Sequence, residues 1–253
     1  NNSGIDTTSI IQDERYETSL AFVSLKEDGN RDFAFYRKNS ADLHYCPEEI
    51  PENILDDCGM IHFCSVDLVE SIMKQAHRKL IEMAREKGVT ICFDPNLRLS
   101  LWNNEDALRS TVREFLPLAD IVKISDEELE FITGKSDIDD ALPFLLQGNT
   151  KCVVYTMGKD GACVFTENCS AFRKGYTVNA VDTTGAGDSF IGAFEYCLLK
   201  DGVHDLTKLK REQMEQYLDF ANAYAAYTTI KQGALSSMAD AQQMREWMKK
   251  LNH

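Results

Sequence analysis

The hydrophobic pattern in the first part of the chain predicts strands. Residues 18–25 and 31–37 are two short runs rich in β-branched and aromatic residues, and the five residues between them include Asp28-Gly29. Asp-Gly favours the positive φ angles of a tight turn. This part of the chain therefore predicts an antiparallel β-hairpin with its turn at residues 26–30.

From about residue 60, short apolar runs alternate with segments whose apolar residues recur every three or four positions. The runs predict strands at residues 60–64, 89–93, 120–124 and 151–156. The periodic segments predict a helix from residue 69 that Gly88 ends, and further helices at about 104–116, 126–132, 137–147, 187–200, 210–231 and 239–250. This alternation is typical of an α/β fold in which helices cover both faces of a mostly parallel sheet and ligands gather at the carboxyl ends of the strands.

The charge balance excludes several classes of function. The 253 residues include 27 Lys and Arg against 41 Asp and Glu, which gives a formal net charge of −14. A chain this acidic is not expected to bind nucleic acid, and its length excludes a small disulfide scaffold. An acidic surface also repels ATP and phosphate esters, so a site for such ligands must supply local positive charge.

The cysteines, histidines and apolar runs narrow the possibilities further. None of the eight cysteines forms a C-x-x-C pair, as expected of free thiols in a reducing compartment, and the five histidines lack the spacing of a zinc site. No apolar run approaches the roughly 20 residues that cross a bilayer, and the polar start at residues 1–4 does not resemble a signal peptide. We therefore expect a cytoplasmic protein with no membrane partner.

Residues 181–190 (VDTTGAGDSF) are rich in small residues and lead directly into the helix predicted at about 187–200. At Gly185, Ala186 and Gly187 an anion could approach the unpaired backbone N–H groups of the helix start, where the helix dipole adds about half a positive charge. The carboxylate of Asp188 would lie beside that anion and could accept a proton from an attacking hydroxyl. By charge alone, Asp188 could equally be an acidic residue in the favourable first turn of a helix.

This segment resembles the carboxyl-terminal signature of the ribokinase-type (phosphofructokinase-B-type) carbohydrate kinases. Four further motifs recur in family order at residues 94–98 (DPNLR), 119–128 (ADIVKISDEE), 131–134 (FITG) and 156–161 (TMGKDG). Residues 35–42 (FYRKNSAD) resemble the lid strands of the fructokinase branch, and residues 94–102 are also closest to fructokinases. The resemblance covers nearly the whole chain.

The resemblance implies a fold and a reaction. The expected fold is a single three-layer ribokinase-like α/β domain over residues 1–253, with lid strands at about 18–42 and a nucleotide-binding half at about 120–253. The expected reaction is ATP-dependent phosphorylation of a sugar hydroxyl, with D-fructose giving fructose 6-phosphate. The expected cofactors are ATP, Mg²⁺ and a monovalent cation such as K⁺.

The resemblance also implies roles for individual residues. Asp188 would be the general base, and the backbone of Gly185, Ala186 and Gly187 would form the anion hole. Glu128 would orient Mg²⁺ through water, while Ser125 replaces the Asn of the family motif. The candidates for the nucleotide are Ser125, Glu128, Thr156, Gly158, Gly161 and Asn222. The candidates for the sugar are Tyr36, Arg37, Asn96, Arg98 and Asp188. The candidates for the monovalent cation are Asp182, Thr184, Thr228, Lys231, Gly233 and Ser237.

The family pattern also contains elements that this sequence does not show. Family members begin with a strand that carries a sugar-binding Asp, followed by a Gly-Gly loop, whereas this chain opens at residues 4–8 (GIDTT), which resemble the segment after those elements. We therefore expect residues 1–253 to be an amino-terminally incomplete domain and a poor or inactive kinase with an intact nucleotide half. Exposed strand edges would favour association, with a homodimer through the lid strands as one form.

Two alternatives stay open at this point. A 2-keto-3-deoxygluconate kinase or another sugar kinase is a sister hypothesis, since the first of these carries a similar Tyr-Arg in its lid. A nucleotide-binding pseudoenzyme without a sugar site is the second. A dinucleotide-binding domain is disfavoured because no G-x-G-x-x-G follows a first strand.

Overall fold

The computed structural model describes residues 4–25 and 31–251, which form two compact units that divide between Leu118 and Ala119. The predicted hairpin turn at residues 26–30 lies outside the described residues. No helix in the described ranges combines the length and the apolar character that crossing a membrane requires. The expectation of a single domain over residues 1–253 stays a prediction.

The first unit contains the predicted hairpin. Strands β1 (Leu20–Leu25) and β2 (Arg31–Tyr36) pair in antiparallel register, with Leu20 opposite Tyr36. The side chains of Leu20, Phe22, Val23 and Tyr36 are all exposed. Because a two-stranded ribbon is marginally stable by itself, this hairpin depends on whatever holds its base.

The rest of the first unit is a parallel strand pair with two helices. Strands β3 (Met60–Cys64) and β4 (Thr90–Asp94) are joined by helix α1 (Ile72–Lys87), and helix α2 (Glu105–Phe115) follows. The hydroxyl of Ser71 caps α1 by accepting from the Lys74 amide. Gly88 ends α1 at φ 70°, a left-handed conformation that favours glycine. These elements match the sequence-based prediction to within a few residues.

The second unit begins with two parallel strands. Strands β5 (Ile121–Ser125) and β6 (Cys152–Thr156) pair in parallel and are joined by helices α3 (Asp126–Thr133) and α4 (Ile138–Leu145). Strands β7 (Ala162–Thr166) and β8 (Ser170–Arg173) then continue the sheet in antiparallel order. The sequence analysis missed these last two strands, because they are joined by a short turn and lack the intervening helix that marked the others.

Three helices complete the second unit. They are α5 (Ala186–Lys200), α6 (Arg211–Thr229) and α7 (Ala241–Leu251). Helix α5 packs against α6, and Phe194 of α5 meets Tyr217 of α6 edge to face. Helix α7 covers the far end of α6, where Met244 and Trp247 pack against Tyr227. This packing holds the start of α5 in place.

Consecutive leucines near the end of α5 provide a matched test of this packing. Leu198 is fully buried, whereas Leu199 is 48% exposed. Leu198→Ala should lower the free energy of unfolding by about 2–5 kcal/mol because it leaves a cavity beneath the helix. Leu199→Ala should change it by about 0.5 kcal/mol or less. Urea unfolding followed by circular dichroism measures both values, and equal losses would show that α5 does not pack as described.

Candidate active site

The predicted anion hole lies at the start of α5. Gly185 is the N-cap residue with φ 78°, and Ala186 and Gly187 form the first turn. The amide of Ser189 donates to the Gly185 carbonyl at 2.8 Å, and the amide of Ala186 donates to the Thr183 carbonyl at 3.2 Å. The amides of Gly187 and Asp188 precede the helical hydrogen-bond pattern. A β-carbon on Gly185 would approach that of Ala234 to 3.3 Å, which adds a packing reason for glycine. The local geometry is that of an anion-binding helix start.

Asp188 lies one residue further into this turn and is exposed to solvent. Within the described ranges, no hydrogen bond or ion pair engages its carboxylate. An exposed and unengaged carboxylate beside an anion hole can accept a proton from a hydroxyl that attacks the bound anion. This is the arrangement that the sequence analysis predicted for the general base.

A cavity of about 620 Å³ in the second unit ends at this same helix turn. Its volume falls within the range of small-molecule sites, about 300–1,000 Å³. Four of the six predicted nucleotide residues line it (Thr156, Gly158, Gly161 and Asn222), and Ala186 and Gly187 of the first turn of α5 line it as well. The lining includes Thr156, Gly158, Gly161, Asn222, Tyr176, Val178, Ala180, Thr183, Ala186, Gly187, Phe190 and Ala226.

Two glycines allow the walls of the cavity to approach each other. Gly161, at φ 110°, passes so close to the end of β8 that an added β-carbon would lie 2.1 Å from the Arg173 carbonyl oxygen. Gly175 likewise approaches the Lys159 carbonyl, where an added β-carbon would lie 2.6 Å away. The TMGKDG motif therefore packs backbone against backbone with residues 173–175.

Asn222 holds this same segment from the side of α6. Asn222 is 6% exposed, and its side-chain Nδ2 donates to the carbonyl oxygens of Arg173 and Lys174, at 3.1 and 3.4 Å. The residue thus lies at the cavity, as predicted, and its amide hydrogens bind the cavity wall. Its direct contact with a nucleotide stays a prediction.

Ser125 and Glu128 form a capping box at the start of α3. The amide and hydroxyl of Ser125 donate to Glu128 Oε2 at 3.0 and 2.8 Å, and Glu128 is buried. This reciprocal pair fixes the Glu128 carboxylate at the carboxyl end of β5. A carboxylate suits a hard cation such as Mg²⁺, so Glu128 fits the role that the resemblance implies. That role, and the nucleotide contact of Ser125, stay predictions.

Three of the predicted cation residues meet around one carboxylate. Asp182 accepts from the Thr184 amide through Oδ1 at 2.9 Å and from the Gly233 amide through Oδ2 at 3.0 Å. The amides of Val181 and Asp182 donate to the Thr229 carbonyl. These bonds join the loop before α5 to the loop after α6.

The other three cation candidates direct their side chains into the protein. The hydroxyls of Thr228 and Ser237 donate to the carbonyls of Tyr224 and Ala234. Lys231 Nζ donates to the Tyr227 hydroxyl at 2.6 Å. Any cation contact from these positions would therefore come from the backbone. The six candidates stay a prediction.

The first unit contains Tyr36, Arg37, Asn96 and Arg98, the residues predicted for the sugar. Of these, Arg37 is held by several hydrogen bonds. Its side chain is 7% exposed, and Nε donates to Asp42 Oδ2 at 2.5 Å while Nη1 donates to the Val66 carbonyl at 2.5 Å. Nη2 donates to the carboxylate of Asp67. Burial by itself raises the pKa of Asp42, but hydrogen bonds from Ser19 and Arg37 bring it below its usual value. Arg37 thus binds the hairpin base to the segment after β3.

The other sugar candidates lie on neighbouring segments of the same unit. Tyr36 is exposed and donates its hydroxyl to Glu17 at 2.7 Å. Asn96 has φ 45°, and its backbone N–H donates to Asp94 Oδ1 at 3.2 Å. Arg98 donates to the Leu97 carbonyl and precedes a 3₁₀ turn, Leu99–Leu101, that packs near β2. The hairpin and the segment after β4 thus lie near each other, and the sugar contacts of these four residues stay a prediction.

Part of the cavity wall was missed by the sequence analysis. Residues 174–178 (KGYTV) line the cavity beside the predicted motif. Tyr176 is fixed there by a hydrogen bond from its hydroxyl to Asp219 at 2.8 Å, and burial together with this bond raises its pKa to about 12. The one available signal was Gly175, which alone is too weak to indicate a site.

Comparison with known proteins places the chain in a family. The model of the pfkB family carbohydrate kinases matches residues 1–241. The chain belongs to the pfkB family of carbohydrate kinases. Among curated relatives of this kinase, probable fructokinase-3 of Arabidopsis thaliana is 39% identical over 238 residues, which cover 93% of this chain and 68% of the relative. Fructokinase-2 of Solanum lycopersicum is 38% identical over 241 residues, which cover 94% of this chain and 72% of the relative.

Solved structures of fructokinases share the fold of this carbohydrate kinase. Fructokinase from Xylella fastidiosa with bound ATP has a TM-score of 0.91 at 27% identity, covering 100% of this chain and 80% of that one. Fructokinase from Vibrio cholerae O395 with fructose, ADP and calcium has a TM-score of 0.87 at 31% identity, covering 97% and 78%. The predicted ribokinase-like α/β fold, with a mixed and mostly parallel sheet and a small antiparallel hairpin, is confirmed, as is the enzyme class.

Gly161 provides a test of the cavity wall. Gly161→Ala should lower the free energy of unfolding by at least about 3 kcal/mol and weaken ATP binding at least tenfold, because backbone atoms must move apart. Gly202→Ala is the matched control: it also has positive φ, at 63°, but open space around it. That change should cost about 1–2 kcal/mol and leave ATP binding unaltered. Calorimetry and isothermal titration measure the two effects, and equal results for both variants would contradict the close approach.

Proposed function

We propose that this chain catalyses the ATP-dependent phosphorylation of D-fructose at its 6-hydroxyl. The observation that carries the proposal is a cavity of nucleotide size that ends at the first turn of α5, one residue from an unengaged carboxylate at Asp188. The names of the relatives and the fructose and nucleotides in the structural neighbours support the choice of substrates.

The proposed reaction follows from these positions. ATP would place its base and ribose between Gly161 and Asn222 and its phosphates along Ala186 and Gly187. Asp188 accepts the proton of the fructose hydroxyl as its oxygen attacks the γ-phosphorus. The bond from that phosphorus to the bridging oxygen breaks, and ADP leaves with the electron pair. The backbone N–H groups of residues 185–187 stabilise the charge that spreads over the transferring oxygens.

Cations complete the proposed site. Mg²⁺, held through water near Glu128, would neutralise phosphate charge when bound. The loops joined by Asp182 would hold a monovalent cation through their carbonyl oxygens. The Vibrio cholerae structures contain calcium in one case and potassium in another, which supports cation use at such sites.

We also propose a cytoplasmic location and self-association through the hairpin. The eight cysteines are all free, in keeping with a reducing compartment. Leu20 and Phe22 share one face of β1 and are exposed, and a second copy would cover this apolar surface. In sedimentation velocity, Phe22→Ser should lower the dimer fraction, and a monomeric wild-type chain would rule out the association.

Sugar-dependent ADP release tests the function directly. With ATP, Mg²⁺ and fructose, the chain should release ADP and form a product whose phosphate ³¹P NMR assigns to O6. Turnover slower than that of the relatives still supports the proposal. Retained ATP binding without any turnover would favour the pseudoenzyme, and faster turnover with 2-keto-3-deoxygluconate would favour the sister kinase.

Asp188→Asn tests the assignment of the base. It should lower turnover by about 10²–10⁴-fold while ATP affinity stays within about threefold, since the amide cannot accept the proton. Asp106→Asn is the matched control, because Asp106 is an exposed carboxylate in the first turn of α2. That variant should turn over at the wild-type rate. Wild-type turnover by Asp188→Asn would remove Asp188 from the mechanism.

A further inference from the structure

Two carboxylates cover the guanidinium group of Arg37 in the first unit. Arg37 donates through Nε to Asp42 Oδ2 at 2.5 Å and through Nη2 to Asp67 Oδ1. The side chain of Arg37 is 7% exposed, whereas those of Asp42 and Asp67 are 31% and 30% exposed. A ligand that approaches this cluster of three side chains from solvent therefore meets the two carboxylates, and the guanidinium group lies beneath them.

The cluster lies at the edge of the sheet where ligands are expected. Asp67 ends the 3₁₀ turn that follows β3, and Asn96 follows the neighbouring parallel strand β4. The amide of Ser65 joins these two segments by donating to the Pro95 carbonyl at 3.1 Å. Because ligands of open α/β sheets bind at the carboxyl ends of the strands, the Asp67 carboxylate shares this edge with the residues predicted for the sugar.

The charges of the cluster do not cancel. One guanidinium group faces two carboxylates, which leaves one negative charge in excess. Asp42 Oδ1 accepts from the hydroxyl of Ser19, whereas Asp67 Oδ2 accepts no hydrogen bond from the residues in 4–25 and 31–251. The surface that the cluster presents is therefore negative and rich in hydrogen-bond acceptors.

A neutral sugar and a sugar acid respond to such a surface in opposite ways. The hydroxyl of a neutral sugar can donate to a carboxylate, and a hydrogen bond to a charged acceptor is stronger than one between neutral groups. The carboxylate of a sugar acid is repelled by the excess negative charge. The guanidinium group that would otherwise bind it is already paired, so the cluster opposes the wrong substrate as well as favouring the right one.

We propose that Asp42 and Asp67 restrict the sugar site to neutral sugars by keeping Arg37 from binding a substrate carboxylate. This inference rests on the proposed kinase function and deepens it, because it separates fructose from 2-keto-3-deoxygluconate, the acidic sugar of the sister hypothesis. Arg37 is then a positioning residue that holds the two carboxylates at the base of the hairpin. This role replaces the direct sugar contact that the sequence analysis predicted for it.

Asp67→Asn tests the selection, because the amide keeps the shape of the side chain and removes its charge. The ratio of kcat/KM for fructose to that for 2-keto-3-deoxygluconate should fall at least tenfold, chiefly through a lower KM for the acid. Asp42→Asn should change the ratio in the same direction. A purely structural role would lower both rates together and leave the ratio unchanged. The assays are run at about pH 8, because burial raises the pKa of Asp67 and both carboxylates must be ionised.

Asp56→Asn is the matched control. Asp56 belongs to the same unit and forms an ion pair with Lys87 at 2.7 Å, but it is not part of the cluster. The same change of charge at this position should leave the ratio as in the wild type.

Binding by the wild-type chain covers slow turnover and variants that do not fold. In isothermal titration, fructose should bind at least tenfold more tightly than 2-keto-3-deoxygluconate. Sodium chloride at about 0.5 M should narrow this difference, because salt screens the repulsion between partly exposed charges.

The outcomes distinguish the two levels of the account. Folded Asp67→Asn and Asp42→Asn variants with the wild-type ratio, or a wild-type preference for fructose that salt does not alter, overturn the role of the carboxylates and leave the kinase function standing. A wild-type chain that neither binds nor phosphorylates either sugar overturns the proposed function, and with it this inference.

Discussion

The attraction of a polyanion to a strongly acidic protein is the physical constraint on which the account depends. A net charge of −14 opposes the binding of ATP everywhere except where positive charge is concentrated. The start of α5 supplies that concentration through the backbone N–H groups of its first turn. Because this positive charge is local, anion binding depends on how firmly the surrounding contacts hold the start of α5.

Two sets of contacts hold the start of α5. Asp182 bonds to the amides of Thr184 and Gly233, so the loops before α5 and after α6 share one carboxylate. Helix α5 in turn packs along α6 through residues such as Phe194. The cavity wall depends on α6 as well, since Asn222 binds the segment after β8. The proposed phosphate and base ends of the nucleotide site are therefore built on the same helix pair.

The sequence could predict elements whose signals are local. Strand β3 matches its prediction residue for residue, and the end of α1 was marked by Gly88, because a left-handed C-cap favours glycine. The start of α5 was predicted from a run of small residues for the same kind of reason. Strands β7 and β8 were missed, since short antiparallel strands lack the strand-helix alternation that signals a parallel sheet.

The sequence alone could not predict which side chains contact each other. Arg37 reads as an exposed hairpin residue until the structure brings Asp67, thirty positions later, to its guanidinium group. Asn222 was predicted to lie near the nucleotide, but only the fold shows that it donates to the cavity wall. Each of these contacts joins residues that are distant in sequence, which no local pattern encodes.

The most direct test of the central claim is a crystal structure of the chain with a non-hydrolysable ATP analogue. The account predicts the base between Gly161 and Asn222, and the γ-phosphate within hydrogen-bond distance of the amides of residues 185–187. A nucleotide bound outside the cavity, or one whose phosphates point away from the start of α5, would contradict it.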